Sequence, residues 1–271
     1  MDYSEDISVN NNSKDCLLIL HGIAGTPYDK KEMIEALSDI PFDIYVPLLP
    51  YHGVNYKELT KPDNAQEFYD WGRDLIANKQ KEYNRVFAIG FSFGAGIIFH
   101  YITHHSPLDA MILLGTGGIF SKALTFIAWL SKFIRIRYIR VPYKKIRENS
   151  FLPEEYLEWK EENFPKIPLK MLFKEIRKSK KENHLIRKIS SPFLIINGLK
   201  DPMTSKQAIP IILDQAVSLK KRGILVHGVG HFVLESHRRN EIISLVKKFI
   251  KEIHEEYENR ELISEKSLIT I

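Results

Sequence analysis

Val86-Phe87-Ala88-Ile89-Gly90-Phe91-Ser92-Phe93-Gly94-Ala95-Gly96 is the part of the chain from which the rest can be placed. Val86 to Ile89 is apolar without alternation, the pattern of a strand covered on both faces. Ala95 to His104 has helical spacing. Between them lies Gly-x-Ser-x-Gly, and a sharp strand-to-helix turn leaves no room for a Cβ two residues either side of the serine. Gly90 and Gly94 meet that need, Ala95 and Gly96 extend the small surface, and Ser92 stands at the tip as a nucleophile. In a chain of this composition such a motif arises by chance about 0.05 times.

Working outward, the same unbroken apolar pattern recurs in Cys16 to Leu20, Ala110 to Leu114, Phe193 to Ile196 and Ile224 to Val226, with a further strand expected over Asp43 to Pro47. Helical spacing fills Lys30 to Leu37, Ala65 to Lys81, Lys206 to Ala216 and Asn240 to Ile253. Strands alternating with helices predict an α/β fold, a mostly parallel open sheet flanked by helices. From Ile119 to about Arg187 no strand is expected, and the chain rejoins the sheet at Ser190-Ser191-Pro192, where Pro suits a first strand position. The expected organisation is a core of residues 15–118 and 188–256, a helical cap insertion over residues 119–187 above the carboxyl edge of the sheet, and flexible tails at 1–14 and 257–271.

With 271 residues, 44% of them apolar, one large domain with an insertion accounts for the length. The net charge of +5 comes from 39 basic residues scattered among 34 acidic ones, too mild a bias for nucleic acid. The single cysteine, Cys16, excludes an intrachain disulfide and reads as a small core hydrophobe. Met1 to Asp15 lacks the basic start and apolar stretch of a secretory signal, so a cytoplasmic protein is expected. The histidines show no metal-ligand spacing such as His-Glu-x-x-His, and no metal or other cofactor is expected.

Four further stretches bear on Ser92 and its surroundings. His21-Gly22-Ile23-Ala24-Gly25-Thr26-Pro27 follows the first buried strand, where backbone N–H groups of Ile23 and, after the nucleophile, Phe93 are expected to form an oxyanion hole. His21 itself is read as a brace for that loop. Gly230-His231-Phe232 follows the last strand, the position for a general base, whereas His227 and His237 read as structural or solvated. Asp201, in Gly198-Leu199-Lys200-Asp201-Pro202, would accept the second imidazole N–H and fix its tautomer. Asp214 is the reserve acid, weakened by its place inside a helix. Pro50-Tyr51-His52-Gly53 is read as a turn beside the oxyanion loop that lines the entrance, with no proton transfer assigned to His52.

Taken together, these motifs resemble the α/β-hydrolase superfamily, in particular bacterial and archaeal carboxylesterases and monoacylglycerol-lipase-like serine hydrolases. The resemblance covers nearly the whole chain outside the tails and the cap. It implies an α/β-hydrolase fold and a cofactor-free enzyme acting on short to medium acyl esters or monoglycerides through Ser92, Asp201 and His231. Two departures are visible. The usual Gly-His-Gly is Tyr51-His52-Gly53, and Ile23 stands where a larger aromatic side chain is common.

In the cap, Phe120, Leu124, Ile127, Leu130 and Ile134 lie on one helical stripe. Four charges between Ile119 and Ile139 argue against a membrane span. The basic run Arg135, Arg137, Arg140, Lys144, Lys145 and Arg147 fits an interfacial segment meeting lipid. An ordinary cap helix with its charges in water is the preferred reading. On either view the stripe predicts an acyl pocket, with Gly22, His52, Ile127 and Leu130 as candidate substrate contacts. The expected function is carboxylic-ester hydrolysis. Alternatives with the same triad are a thioesterase, an aminopeptidase or an acyltransferase, and the non-enzymatic one is a lipid-binding protein on a hydrolase fold.

Overall fold

The computed structural model describes residues 3–116, 118–133, 137–148 and 150–268, apart from the side chains of Lys145 and of residues 260–268. Ile134 and Arg135 of the expected stripe and basic run lie outside the described residues, as does the side chain of Lys145.

In chain order, β1 (Ile7–Val9), β2 (Asp15–Leu20), α1 (Lys31–Leu37), β3 (Asp43–Val46), α2 (Gln66–Glu82), β4 (Arg85–Phe91), α3 (Phe93–His104) and β5 (Ala110–Leu114) build the first half. Then come α4 (Lys122–Leu130), β6 (Tyr138–Arg140), α5 (Tyr143–Arg147), α6 (Glu154–Asn163), β7 (Lys166–Pro168) and α7 (Lys170–Glu182). The chain closes with β8 (Phe193–Gly198), α8 (Ala208–Gln215), β9 (Lys221–Val226) and α9 (Arg239–Leu268). The seven-stranded sheet has the order β1-β3-β2-β4-β5-β8-β9. Every pairing in it is parallel except that of β1 with β3.

The unbroken apolar runs are explained by burial on both faces. Leu18, Leu20, Ala88 and Ile195 pack with residues of α2, α3 and α8, whereas Leu17, Ile19, Phe87 and Ile112 pack with residues of α1 and α9. Period-two alternation between the faces leaves no position for a polar side chain within these runs, and the buried Asp15, Arg85 and Asn197 stand at or next to strand ends. Cys16 is wholly buried, and desolvation pushes its thiol up to about 12, so the inert core role holds.

Three expectations about the periphery are corrected. Part of the leading segment is a strand, because Ile7, Ser8 and Val9 pair with Val46, Tyr45 and Ile44 and extend the sheet edge. At the other end α9 continues to Leu268, with Ile253 buried and Tyr257 packed against the core, rather than stopping before residue 257. The insertion is not free of strands, since β6 and β7 form an antiparallel pair. These strands are three residues long, too short to show a period in sequence.

Candidate active site

The turn after β4 is as tight as its glycines require. A Cβ on Gly94 would lie 2.5 Å from the carbonyl oxygens of both Leu20 and His21, and one on Gly90 would lie 2.4 Å from the Cα of Ala95. Ser92 sits at φ 49° and ψ −107°, a left-handed conformation that costs a non-glycine residue about 1–3 kcal/mol. The surrounding close packing holds it there and presents its hydroxyl at the carboxyl edge of the sheet.

Two loops on that edge complete a relay. His231 Nε2 lies 2.8 Å from Ser92 Oγ, and His231 Nδ1 lies 2.9 Å from Asp201 Oδ2. The carboxylate can only accept, so Nδ1 carries the proton and Nε2 is free to take that of Ser92. Asp201 Oδ1 accepts the Met203 N–H at 2.7 Å. Burial alone would raise the Asp201 carboxyl. The hydrogen bond and charge of His231, with Met203 and Thr204, outweigh burial and hold it below the usual carboxylate range. The two loops can meet because Gly198 ends β8 without a side chain, and a Cβ there would lie 2.1 Å from the Gly230 carbonyl oxygen.

The loop after β2 is braced by two buried imidazoles. Nε2 of His21 accepts the Leu49 N–H at 3.0 Å, and Nε2 of His52 accepts the Ala24 N–H at 3.1 Å. Their Nδ1 protons go to the carbonyls of Gly22 and Pro50. Desolvation drives both pKa values down, His52 to about 4 and His21 well below its ordinary value. His52 therefore holds the loop from behind and does not line the cavity. Tyr51 takes φ 64° at the position where glycine is usual, with its hydroxyl on Glu67. Farther along, the buried Asp29 carboxylate accepts from Thr26 N at 2.9 Å, from Tyr156 Oη at 2.8 Å and from Lys160 Nζ at 2.9 Å, joining this loop to α6. Burial opposes ionisation, but Lys160 and Lys30 bring the Asp29 carboxyl down to about 2.

A cavity of about 120 Å³ opens beside the relay, with Ile23, Ser92, Phe93, Met203 and His231 at that end. Its walls are largely apolar, from Phe99 of α3, Leu124 of α4 and Phe173 and Ile176 of α7. Ile23 and Phe93 line it beside Ser92, and the backbone N–H of neither meets an acceptor among the described residues. Of the candidate contacts, Gly22, His52, Ile127 and Leu130 are all absent from the lining. The stripe is only partly correct: Phe120 and Leu124 face the cavity, but Ile127 turns outward with 40% of its surface exposed. Sequence reasoning missed the wall contributed by α7, whose apolar side Leu169, Phe173 and Ile176 carries helical spacing. Asp214 is exposed on α8, and His227 and His237 are exposed too.

Among the described residues one other cluster, Asp15, His254 and Glu258, has the ligand types of a metal site. The Arg85 guanidinium already fills it, 2.8 Å from Asp15 and 2.6 Å from Glu258, as a tie between β4 and α9.

A family model described as "Serine aminopeptidase, S33" matches residues 11–237. A thermostable monoacylglycerol lipase of Bacillus sp. (strain H-257) is 23% identical over 103 residues, which span 35% of this chain and 38% of that enzyme. Among solved structures, one described with two metagenome-derived lipolytic enzymes is similar with TM-score 0.73 and 15% identity, over 92% of this chain and 98% of that one. A soluble variant of the monoglyceride lipase from Saccharomyces cerevisiae gives TM-score 0.69 and 18% identity, over 92% and 90%. These structural likenesses establish the fold, and the extent of the family match establishes membership: the chain belongs to the serine aminopeptidase S33 family of α/β hydrolases.

Proposed function

We propose that the protein is a serine carboxylic-ester hydrolase, acting on acyl esters of short to medium length or monoglycerides. The observation that carries this is the unbroken relay Ser92, His231, Asp201 at 2.8 and 2.9 Å, opening on an apolar-walled cavity. Ser92 Oγ attacks the ester carbonyl carbon while its proton passes to His231 Nε2. The resulting oxyanion is met by the N–H groups of Ile23 and Phe93. The carbon–oxygen bond to the alcohol then breaks, and His231 returns the proton to the departing alkoxide. Water, deprotonated by the same imidazole, attacks the acyl-enzyme and releases the acid and Ser92. Asp201 keeps its charge throughout and stabilises the imidazolium.

The monoacylglycerol lipase relative supports an ester over an amide. A thioesterase, an aminopeptidase and an acyltransferase share the relay and are separated from this reading by substrate alone. Hydrolysis of p-nitrophenyl butyrate, abolished in Ser92→Ala with the circular dichroism spectrum unchanged, is the expected result. Full activity in the variant would contradict the proposal.

A second feature bears on how substrate arrives. Phe126 of α4 is 59% exposed, Trp129 50% and Phe133 72%, and Trp129 has ring contacts with both of the others. Lys122, Lys132, Arg137 and Arg140 accompany them in sequence. This outer face favours delivery of substrate from a lipid interface over the ordinary solvated helix preferred from sequence. Among the described residues no helix is long and apolar enough to cross a membrane.

A further inference from the structure

The cavity changes character with distance from Ser92. Along α3 the lining passes from Phe93 and Phe99 to His100 and His104, and along α7 from Phe173 to Glu175 and Glu182. A pocket for a plain hydrocarbon chain would end in apolar side chains.

At this far end the polar groups are ordered, with His100, Glu175 and Glu182 half-buried and His104 exposed. The Tyr69 ring, 5% exposed, stacks on His100 with centroids 3.9 Å apart, and His100 stacks on His104 at 4.0 Å. The Tyr69 hydroxyl is directed at the Glu175 carboxyl. Glu182 has Lys178 at 3.4 Å, but Glu175 has no ion pair among the described residues, and the ring nitrogens of His100 make no hydrogen bond among them. The bare nitrogen of a neutral imidazole and the lone pairs of a carboxyl gain from a donor, and all of these groups lose from contact with a methyl group.

We propose that the far end of the cavity recognises a hydrogen-bond donor, a hydroxyl or an amine, carried at the distal end of the acyl chain. The reading rests on ester hydrolysis at Ser92 and specifies its substrate class. Eight residues of α3 separate Ser92 from His100, about 12 Å along the helix at 1.5 Å per residue. An extended chain advances about 1.2 Å per bond, so the donor sits roughly ten carbons from the ester carbonyl. Burial lowers His100 to about 3, so its imidazole is uncharged at neutral pH and keeps a lone pair, and burial also raises the Glu175 carboxyl. A carboxylate at the chain end would face Glu175 and Glu182 and be rejected.

The test compares p-nitrophenyl esters of decanoate, 10-hydroxydecanoate, 10-aminodecanoate and decanedioate (as the monoester), with the butyrate, too short to reach the far end, as reference. The hydroxy and amino esters are expected to exceed decanoate in kcat/KM by about tenfold, and the decanedioate monoester to fall below it. In Glu175→Leu and in His100→Phe, the latter preserving the stack on Tyr69, the ratio of hydroxy ester to decanoate should fall toward one. Butyrate hydrolysis with decanoate equal to or better than the hydroxy ester would overturn the far-end assignment alone and make this end a solvated rim. A wild-type preference that both variants retain would also overturn it. Absence of hydrolysis for every ester, butyrate included, would overturn the ester-hydrolase reading and this proposal with it.

Discussion

At the sheet edge, Gly94 and Gly198 lie so close to neighbouring carbonyls that a single methyl group has nowhere to go, whereas in the cap α4 and the turn after it leave Phe126, Trp129 and Phe133 in solvent. The edge is positioned by backbone against backbone, and the cap by side chains laid over a cavity. Backbone contacts fix the reacting atoms to a fraction of an ångström and admit almost no substitution. The cap can vary in sequence and still cover the site. Chemistry should therefore be lost sharply by changes at the edge and adjusted gradually by changes above it.

The largest effect is expected at His231. His231→Ala leaves Ser92 without a proton acceptor and should lower kcat for p-nitrophenyl butyrate by about 10⁴-fold or more, with the thermal midpoint nearly unchanged. Next is Gly198→Ala, whose methyl group would part the Asp201 turn from the Gly230 carbonyl. A loss of about 10²-fold in kcat together with a lowered thermal midpoint would mark a positional fault rather than a missing group. If Gly198→Ala were silent, the contrast between edge and cap would fail.

Acid sharpens the comparison by separating the brace from the latch. The folded pKa of His52 is lowered to about 4, so the unfolded chain takes up the proton first. Its stabilisation is complete above the ordinary histidine pKa of about 6.5 and declines as pH falls toward 4, by about 3 kcal/mol in all. His21, buried beside it, adds in the same direction. Asp29 behaves oppositely: its pKa is lowered to about 2, and its contribution is lost only as pH falls from about 4 toward 2. Urea midpoints between pH 7 and pH 4 should fall with the histidines, and Asp29→Asn should leave that slope intact. At pH 7 Asp29→Asn should cost about 2 kcal/mol, the worth of the lowered Asp29 pKa, by unpairing Lys160 from the loop.

The smallest effect is expected on the outer cap. Trp129→Ala should change stability by less than about 0.5 kcal/mol and leave hydrolysis of dissolved butyrate unaltered, while weakening sedimentation with anionic vesicles. A Trp129→Ala protein that binds vesicles as tightly as the parent would return this face to an ordinary solvated one.

The same contrast explains what could be read before any coordinates. The strand runs and the elbow at Ser92 were legible because doubly covered strands and close backbone approach restrict residue type at each position, and chain order alone picked out Asp201 and His231, whose side chains lie in line with Ser92. The braces at His21 and His52 were only half legible: a histidine in a loop is visible, but its choice of Leu49 or Ala24 as donor is set by tertiary approach. The cap contacts were misassigned at Ile127 and Leu130 because helical periodicity gives a stripe without saying which part of it meets the cavity. The latch of Asp29 to Lys160 joins residues far apart in the chain and leaves no local signal.

Reaction with a fluorophosphonate probe tests the central claim most directly, because only a hydroxyl activated by a neighbouring base forms the phosphonyl-serine adduct. The account predicts a single adduct that peptide mass spectrometry places on Ser92, and loss of that adduct in His231→Ala. A folded protein that remains unlabelled, or an adduct on a different serine, would contradict it.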